Sequence, residues 1–268
     1  MHFIWPLIAA FTISTQSSSY LVANYLDEDN PAFIHLPVYP LINEGKYDQA
    51  ITWLNGAIAK EPKNLTVLEC RAHCYHALKK YALAINDFNG CIAMAKKNLY
   101  LYYDRGQAYS DLGNYEKALA DYETVITLAG NNKDSQRRYY RLKVNALEHL
   151  NRSAEAEIWC TKILVIEPKN FEILAKRATL RRKLGRMQDA INDYSAILKS
   201  VPDDAVMLKL RGDLYFQLKD WKKAIADYSA AIAEEPELAV SIYPIRAKAY
   251  AAIGDTAKAA ADNAKAKK

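Results

Sequence analysis

Small and apolar side chains return along the chain at a nearly constant interval. Ala50, Ala84 and Ala118 stand 34 residues apart, and so do Ala156, Ala190 and Ala224. The step from Ala118 to Ala156 is 38 and that from Ala224 to Ala259 is 35, so short insertions lie between. Other columns keep the interval: Tyr81 with Tyr115, Phe88 with Tyr122, Tyr194 with Tyr228, and Pro168 with Pro202 and Pro236. A period near 34 predicts stacked helix–turn–helix units. Two helices cannot bury their apolar stripes alone, so stacking builds one continuous core. Ala72, Gly106, Ala178 and Gly212 would let each first helix approach its second, at the alanine column, while the aromatics fill the space beside that contact. The prolines end second helices, because the residue before a proline is pushed out of helix.

The stretch LYLYYDRGQAYSDLGNYEKALADYETVITLAG carries the pattern most clearly, through Gly106, Tyr109, Leu112, Gly113, Tyr115, Ala118, Tyr122 and Val125. A later unit repeats it with Gly212, Tyr215, Leu218, Trp221, Ala224, Tyr228, Ala231 and Pro236. In these columns the chain resembles the tetratricopeptide repeat (TPR) family. The resemblance implies an all-α, right-handed superhelical solenoid, with units at 31–64, 65–98, 99–132, 137–170, 171–204, 205–238 and 240–268. The first unit departs from the pattern, since Pro37 and Pro40 fall within its first helix and should shorten or break it. The fourth has Val144 and Ser153 where a small residue and an aromatic are expected. KDSQ at 133–136 is the one sizeable insertion and reads as a bend between two blocks of repeats. Thr256–Lys268 reads as a polar end cap.

Composition removes several function classes. The chain has 268 residues, of which 51% are hydrophobic and 25% charged, an ordered composition. Its glycines never fall as GxG, and HExxH and GxSxG are absent, so dinucleotide-binding, phosphate-loop, metalloprotease and hydrolase motifs are all missing. Net charge is +5, divided as −3 over residues 1–136 (11 basic, 14 acidic) and +8 over 137–268 (25 basic, 17 acidic). Phe3 to Ile13 is almost wholly apolar and is followed by a Ser/Thr-rich run at Ser14–Ser19. That is the pattern of an export signal at residues 1–19, ahead of a linker at 20–30, although the segment before it has no Lys or Arg. It is too short to span a bilayer, and nothing else in the chain approaches that length.

Candidate chemistry is sparse. Cys91 and Cys160 occupy columns filled by Val125 and Tyr194 and read as small core residues. Cys70, His73, Cys74 and His76 form the string CRAHCYH, with soft ligands at helical spacing, which admits a metal or redox site without an evident fourth ligand. A disulfide within one helical turn is geometrically poor. Asn64-Leu-Thr66 and Asn151-Arg152-Ser153 match the glycosylation sequon, which matters only in a eukaryotic secretory pathway. No nucleophile stands out and no carboxylate is paired for acid–base work, so a non-enzymatic binding scaffold without cofactors is expected.

The TPR resemblance implies a concave groove lined by first helices. By column it would carry Glu69, Cys70, His73 and His76, then Tyr100, Tyr103, Asp104 and Gln107, then Arg138, Arg141 and Asn145, and last Lys176, Arg182 and Lys209. Some family members clamp the C-terminal carboxylate of a chaperone peptide with Lys, Asn, Asn, Lys and Arg. Here Arg141 and Asn145 match two of those columns approximately, while Lys176, Val206 and Leu210 fill the others, which disfavours that role. The expected partner is an acidic, aromatic-containing segment of a protein. The alternative is single-stranded RNA on the basic half. Finally, Arg71/Asp87, Arg105/Asp121, Arg177/Asp193, Arg211/Asp227 and Arg246/Asp262 recur in fixed columns, and the exceptions Lys143/Trp159 and Pro37/Trp53 lose both members. The coupled loss predicts an ion pair inside each unit, from first helix to second, that holds the hairpin in register and lies outside the binding face.

Overall fold

The structure, a computed structural model, describes residues 36–130 and 133–267. The export-signal and linker segments at 1–30 therefore lie outside the described residues. Among those described, the chain is all-α and falls into two compact units divided after Gly130. The first unit holds α1 (Tyr39–Asn43), α2 (Tyr47–Lys60), α3 (Leu65–Ala77), α4 (Tyr81–Met94), α5 (Leu99–Asp111) and α6 (Tyr115–Ala129). The second holds α7 (Lys133–His149), α8 (Ser153–Ile166), α9 (Phe171–Lys183), α10 (Met187–Leu198), α11 (Ala205–Gln217), α12 (Trp221–Glu234), α13 (Ala239–Ala252) and α14 (Thr256–Lys265). In each unit, consecutive helices pack as hairpins and each hairpin packs on the next. No described helix is long and apolar enough to cross a membrane.

Local chemistry sets the helix ends. Asn64, Asn98, Asn170 and Asp204 precede first helices, and each side chain accepts a hydrogen bond from a backbone N–H of the first turn. Within each hairpin the chain turns through one left-handed residue. These residues are Gly45, Lys79, Gly113, Asn151, Gly185, Lys219 and Gly254, which keep the repeat interval although three of them are not glycine. The alanine column is buried throughout, as are Phe88, Tyr122, Tyr194 and Tyr228 beside it. At Gly106 a Cβ would lie 2.7 Å from Cε1 of Tyr122, so the close approach of first to second helix requires glycine there. Pro40 stands at the start of α1, which has only five residues, as the prolines of that unit predict.

The Arg–Asp columns form bidentate pairs within each hairpin. Arg71 donates to Asp87 through Nε and Nη2 at 2.7 Å each. Arg105 does the same to Asp121 at 2.9 and 2.6 Å, and Arg211 to Asp227 at 2.8 and 2.7 Å. Arg177–Asp193 and Arg246–Asp262 share the geometry. All five aspartates are buried. Each guanidinium also spends Nη1 on the second helix of the preceding repeat, on Asn55, Asn89, Thr161, Ser195 and Ser229 in turn. One side chain thus ties three helices together, a link the column pattern did not reveal. Where the pair is absent, Lys143 Nζ lies 4.2 Å from the Trp159 ring centroid, so a cation–π contact replaces the salt bridge.

Residues 133–136 are not a bend. They form the first turn of α7, which runs 17 residues against 13 for α3, α5, α9 and α11. The insertion contains neither Gly nor Pro, so it lengthens the helix instead of interrupting it.

Candidate functional site

Polar contacts between successive first helices define one face in each unit. In the first unit His76 Nε2 lies 2.8 Å from Asp111 Oδ2, joining α3 to α5. In the second, Arg141 on α7 donates to Glu172 on α9 at 2.9 Å, while Lys176 returns to Glu148 at 2.6 Å and Asn145 at 3.3 Å. The face is therefore a row of neighbouring first helices, as the groove reading requires.

The expected groove residues divide into two groups. Tyr100, Arg138, Asn145 and Arg182 are exposed on it. The rest serve the fold. Tyr103 and Asp104 are each only 7% exposed, so neither offers the open contact surface expected of it. The reason lies in the column. Asp104 stands 34 residues after Cys70, and both turn toward the preceding repeat, Cys70 into a core shared with Ala50, Ile51 and Leu54. Gln107 accepts a hydrogen bond from Tyr122 Oη at 2.5 Å. Lys209 is held by Asp213 at 2.9 Å, and Asp213 also accepts from Tyr228 Oη at 2.8 Å. Arg141 and Lys176 are held by the glutamates above.

The CRAHCYH string does not close into a ligand set. Cys70 and Cys74, four residues apart, face the core between α2 and α3. The thiol of Cys70 is pushed well above its ordinary range by its hydrogen bond with Cys74 and by burial. All four cysteines are free and buried, and burial pushes Cys91 and Cys160 up to about 12, which leaves them protonated and inert. His73 points to a different side of α3, where its ring meets Phe88 edge-on at 5.4 Å. There it joins Glu69 and Asp104, with one ligating atom from each of the three within 4.8 Å of the others. Burial raises the Glu69 carboxyl to about 7 and lowers the His73 imidazole to about 3. Sequence reading placed Glu69, His73 and Asp104 on the groove face of neighbouring repeats but did not show that the three would be buried together.

Models of the tetratricopeptide repeat match residues 71–98, 100–132 and 176–239. No curated protein matches the chain. Among solved structures, YrrB, a TPR protein with an unusual peptide-binding site, aligns with a TM-score of 0.54 at 16% identity, over 68% of this chain and 92% of its own. MamA from Desulfovibrio magneticus aligns with a TM-score of 0.53 at 20% identity, over 63% and 92%. A tetratricopeptide repeat protein from Parabacteroides merdae gives 0.52 at 23% identity, over 93% and 92%. These likenesses concern the fold. Repeat interval, hairpin packing and matched models agree: the chain is a tetratricopeptide repeat protein.

Proposed function

We propose that the protein is a non-enzymatic interaction scaffold whose second unit binds an acidic, aromatic-containing segment of a protein partner on the face of its first helices. The observation that carries this reading is the row formed by α7 and α9, where Arg138 and Arg182 lie on the surface beside the Arg141–Glu172 and Lys176–Glu148 pairs. Aromatic and Arg side chains dominate interface energetics, and a stiff receptor loses little entropy when it binds. The peptide-binding site named for YrrB lends support from the same fold. Fluorescence anisotropy with a labelled Glu/Tyr-rich peptide tests the reading. Arg138→Glu with Arg182→Glu should weaken binding at least about tenfold, given roughly 1 kcal/mol or more per truncated interface anchor, with an unchanged helical signal. Equal affinity for the double variant would place the site elsewhere.

RNA binding by the basic half is the second reading. The same salt bridges argue against it, because they occupy cations that a phosphate backbone would need. The pattern at Phe3–Ser19 supports export, to a periplasm or to the exterior. An intact Met1 on protein isolated from its native host would remove that proposal.

A further inference from the structure

The aromatic column of the second helices has a fixed companion on the first. Gln107 accepts from Tyr122, Asp213 accepts from Tyr228, and Thr179 Oγ1 lies 3.5 Å from Tyr194 Oη. In the repeat 65–98 the companion is His73 and the aromatic is Phe88, which has no hydroxyl to offer. His73 Nε2 instead lies 3.5 Å from Asp104 Oδ2, across the boundary between two repeats. Glu69, one helical turn before His73 on α3, completes the trio, and its Oε2 is buried without a hydrogen-bond partner on a residue 3% exposed. A buried carboxylate oxygen without a hydrogen-bond partner is costly unless a proton or a cation meets it.

We propose that Glu69, His73 and Asp104 bind a divalent first-row transition ion, best probed with Zn²⁺, which ties α3 to α5. Two oxygen donors and one imidazole suit such an ion, whereas Ca²⁺ demands six or more oxygens. Two ligands about 2.1 Å from a tetrahedral ion lie about 3.4 Å apart, which matches the His73–Asp104 separation. The longest separation in the trio, within 4.8 Å, closes with a small side-chain adjustment. The fourth position falls to water, and the cysteines of α3 take no part. The ion would fix the spacing of two first helices from beneath their exposed face.

The test uses the full chain without an affinity tag, stripped with chelator and then titrated with Zn²⁺ by calorimetry and with Co²⁺ by visible absorption. A single ion should bind per chain and raise Tm by about 5 °C or more at a hundredfold excess over Kd. Glu69→Gln and Asp104→Asn should each weaken binding tenfold or more. His76→Ala, at the superficial His76–Asp111 pair, should leave it unchanged. Absence of uptake by the wild-type chain overturns the proposal, and so does uptake that survives Glu69→Gln but falls with His76→Ala. Where a variant fails to fold, nuclear magnetic resonance of the wild-type chain with Co²⁺ decides. Large paramagnetic shifts at the His73 ring support the site, and shifts at His76 alone overturn it.

Discussion

At the scale of single residues, the repeated arginine holds more than the carboxylate it was matched with. Arg105 grips Asp121 with two nitrogens and reaches Asn89 with a third, so three helices converge on one guanidinium. The hydrogen bonds to Asp121 also hold Arg105 above its ordinary pKa. Truncation would leave Asp121, 4% exposed, as a buried carboxylate without its counter-charge. Arg105→Ala should therefore cost about 2–4 kcal/mol, a little below the roughly 3–5 kcal/mol for breaking a fully buried pair from one side, because the guanidinium is partly exposed. Arg152→Ala, at the exposed Arg152–Glu155 pair, should cost less than about 1 kcal/mol. Urea denaturation of the two variants checks this, and equal losses would mean that the arginine column holds the helices no better than an exposed ion pair does. Arg105→Lys should recover little, because an ammonium cannot serve three acceptors in one plane. The pairing itself was readable from the coupled loss at Lys143 and Trp159. The third contact was not, since Asn55, Asn89, Thr161, Ser195 and Ser229 share only the ability to accept a hydrogen bond.

At the scale of helices, two features of the hairpin are open to opposite substitutions. A Cβ on Gly106 would press on the Tyr122 ring at 2.7 Å, so Gly106→Ala should destabilise by about 1–3 kcal/mol, as overpacking does. Lys79 holds a left-handed backbone with φ of 59°, where its repeat counterparts Gly113 and Gly185 adopt the same conformation without a side-chain penalty. Lys79→Gly should stabilise by up to about 1 kcal/mol, the relief of strain being partly offset by a more flexible unfolded chain. Thermal melts should move in opposite directions, and a destabilised Lys79→Gly would show that the turn carries no strain. The hairpins were legible in the sequence because alanine, glycine and aromatic columns report one recurring contact between two helices. The buried trio was not, because the column of Asp104 holds Cys70, Asp104, Leu142, Lys176 and Leu210 in successive repeats, side chains with no chemistry in common. Only packing shows that this column faces the preceding repeat. KDSQ was misread for a related reason: an insertion breaks the interval whether it bends the chain or lengthens a helix.

At the scale of the molecule, charge separates the two readings of what is bound. Residues 137–268 carry 25 basic and 17 acidic side chains, an excess that resembles a nucleic-acid footprint when counted along the sequence. Its geometry is different. Arg137 is paired with Glu167, Arg141 with Glu172, Lys176 with Glu148 and Lys209 with Asp213, so much of the positive charge on first helices is already met within the fold. Arg138 and Arg182 are exposed on the same first helices. A peptide held by two or three such contacts and by aromatic packing releases few counterions. Its affinity should fall less than about tenfold between 50 and 200 mM salt, whereas neutralising 6–10 phosphates would cost about a thousandfold or more. Anisotropy titrations of the Glu/Tyr-rich peptide and of a single-stranded oligonucleotide, each across that salt range, make the comparison. Tight oligonucleotide binding with the steeper slope, and no peptide binding at low salt, would replace the peptide scaffold with the nucleic-acid reading. Weak salt dependence for the peptide, abolished by Arg138→Glu with Arg182→Glu, would locate the interaction on α7 and α9.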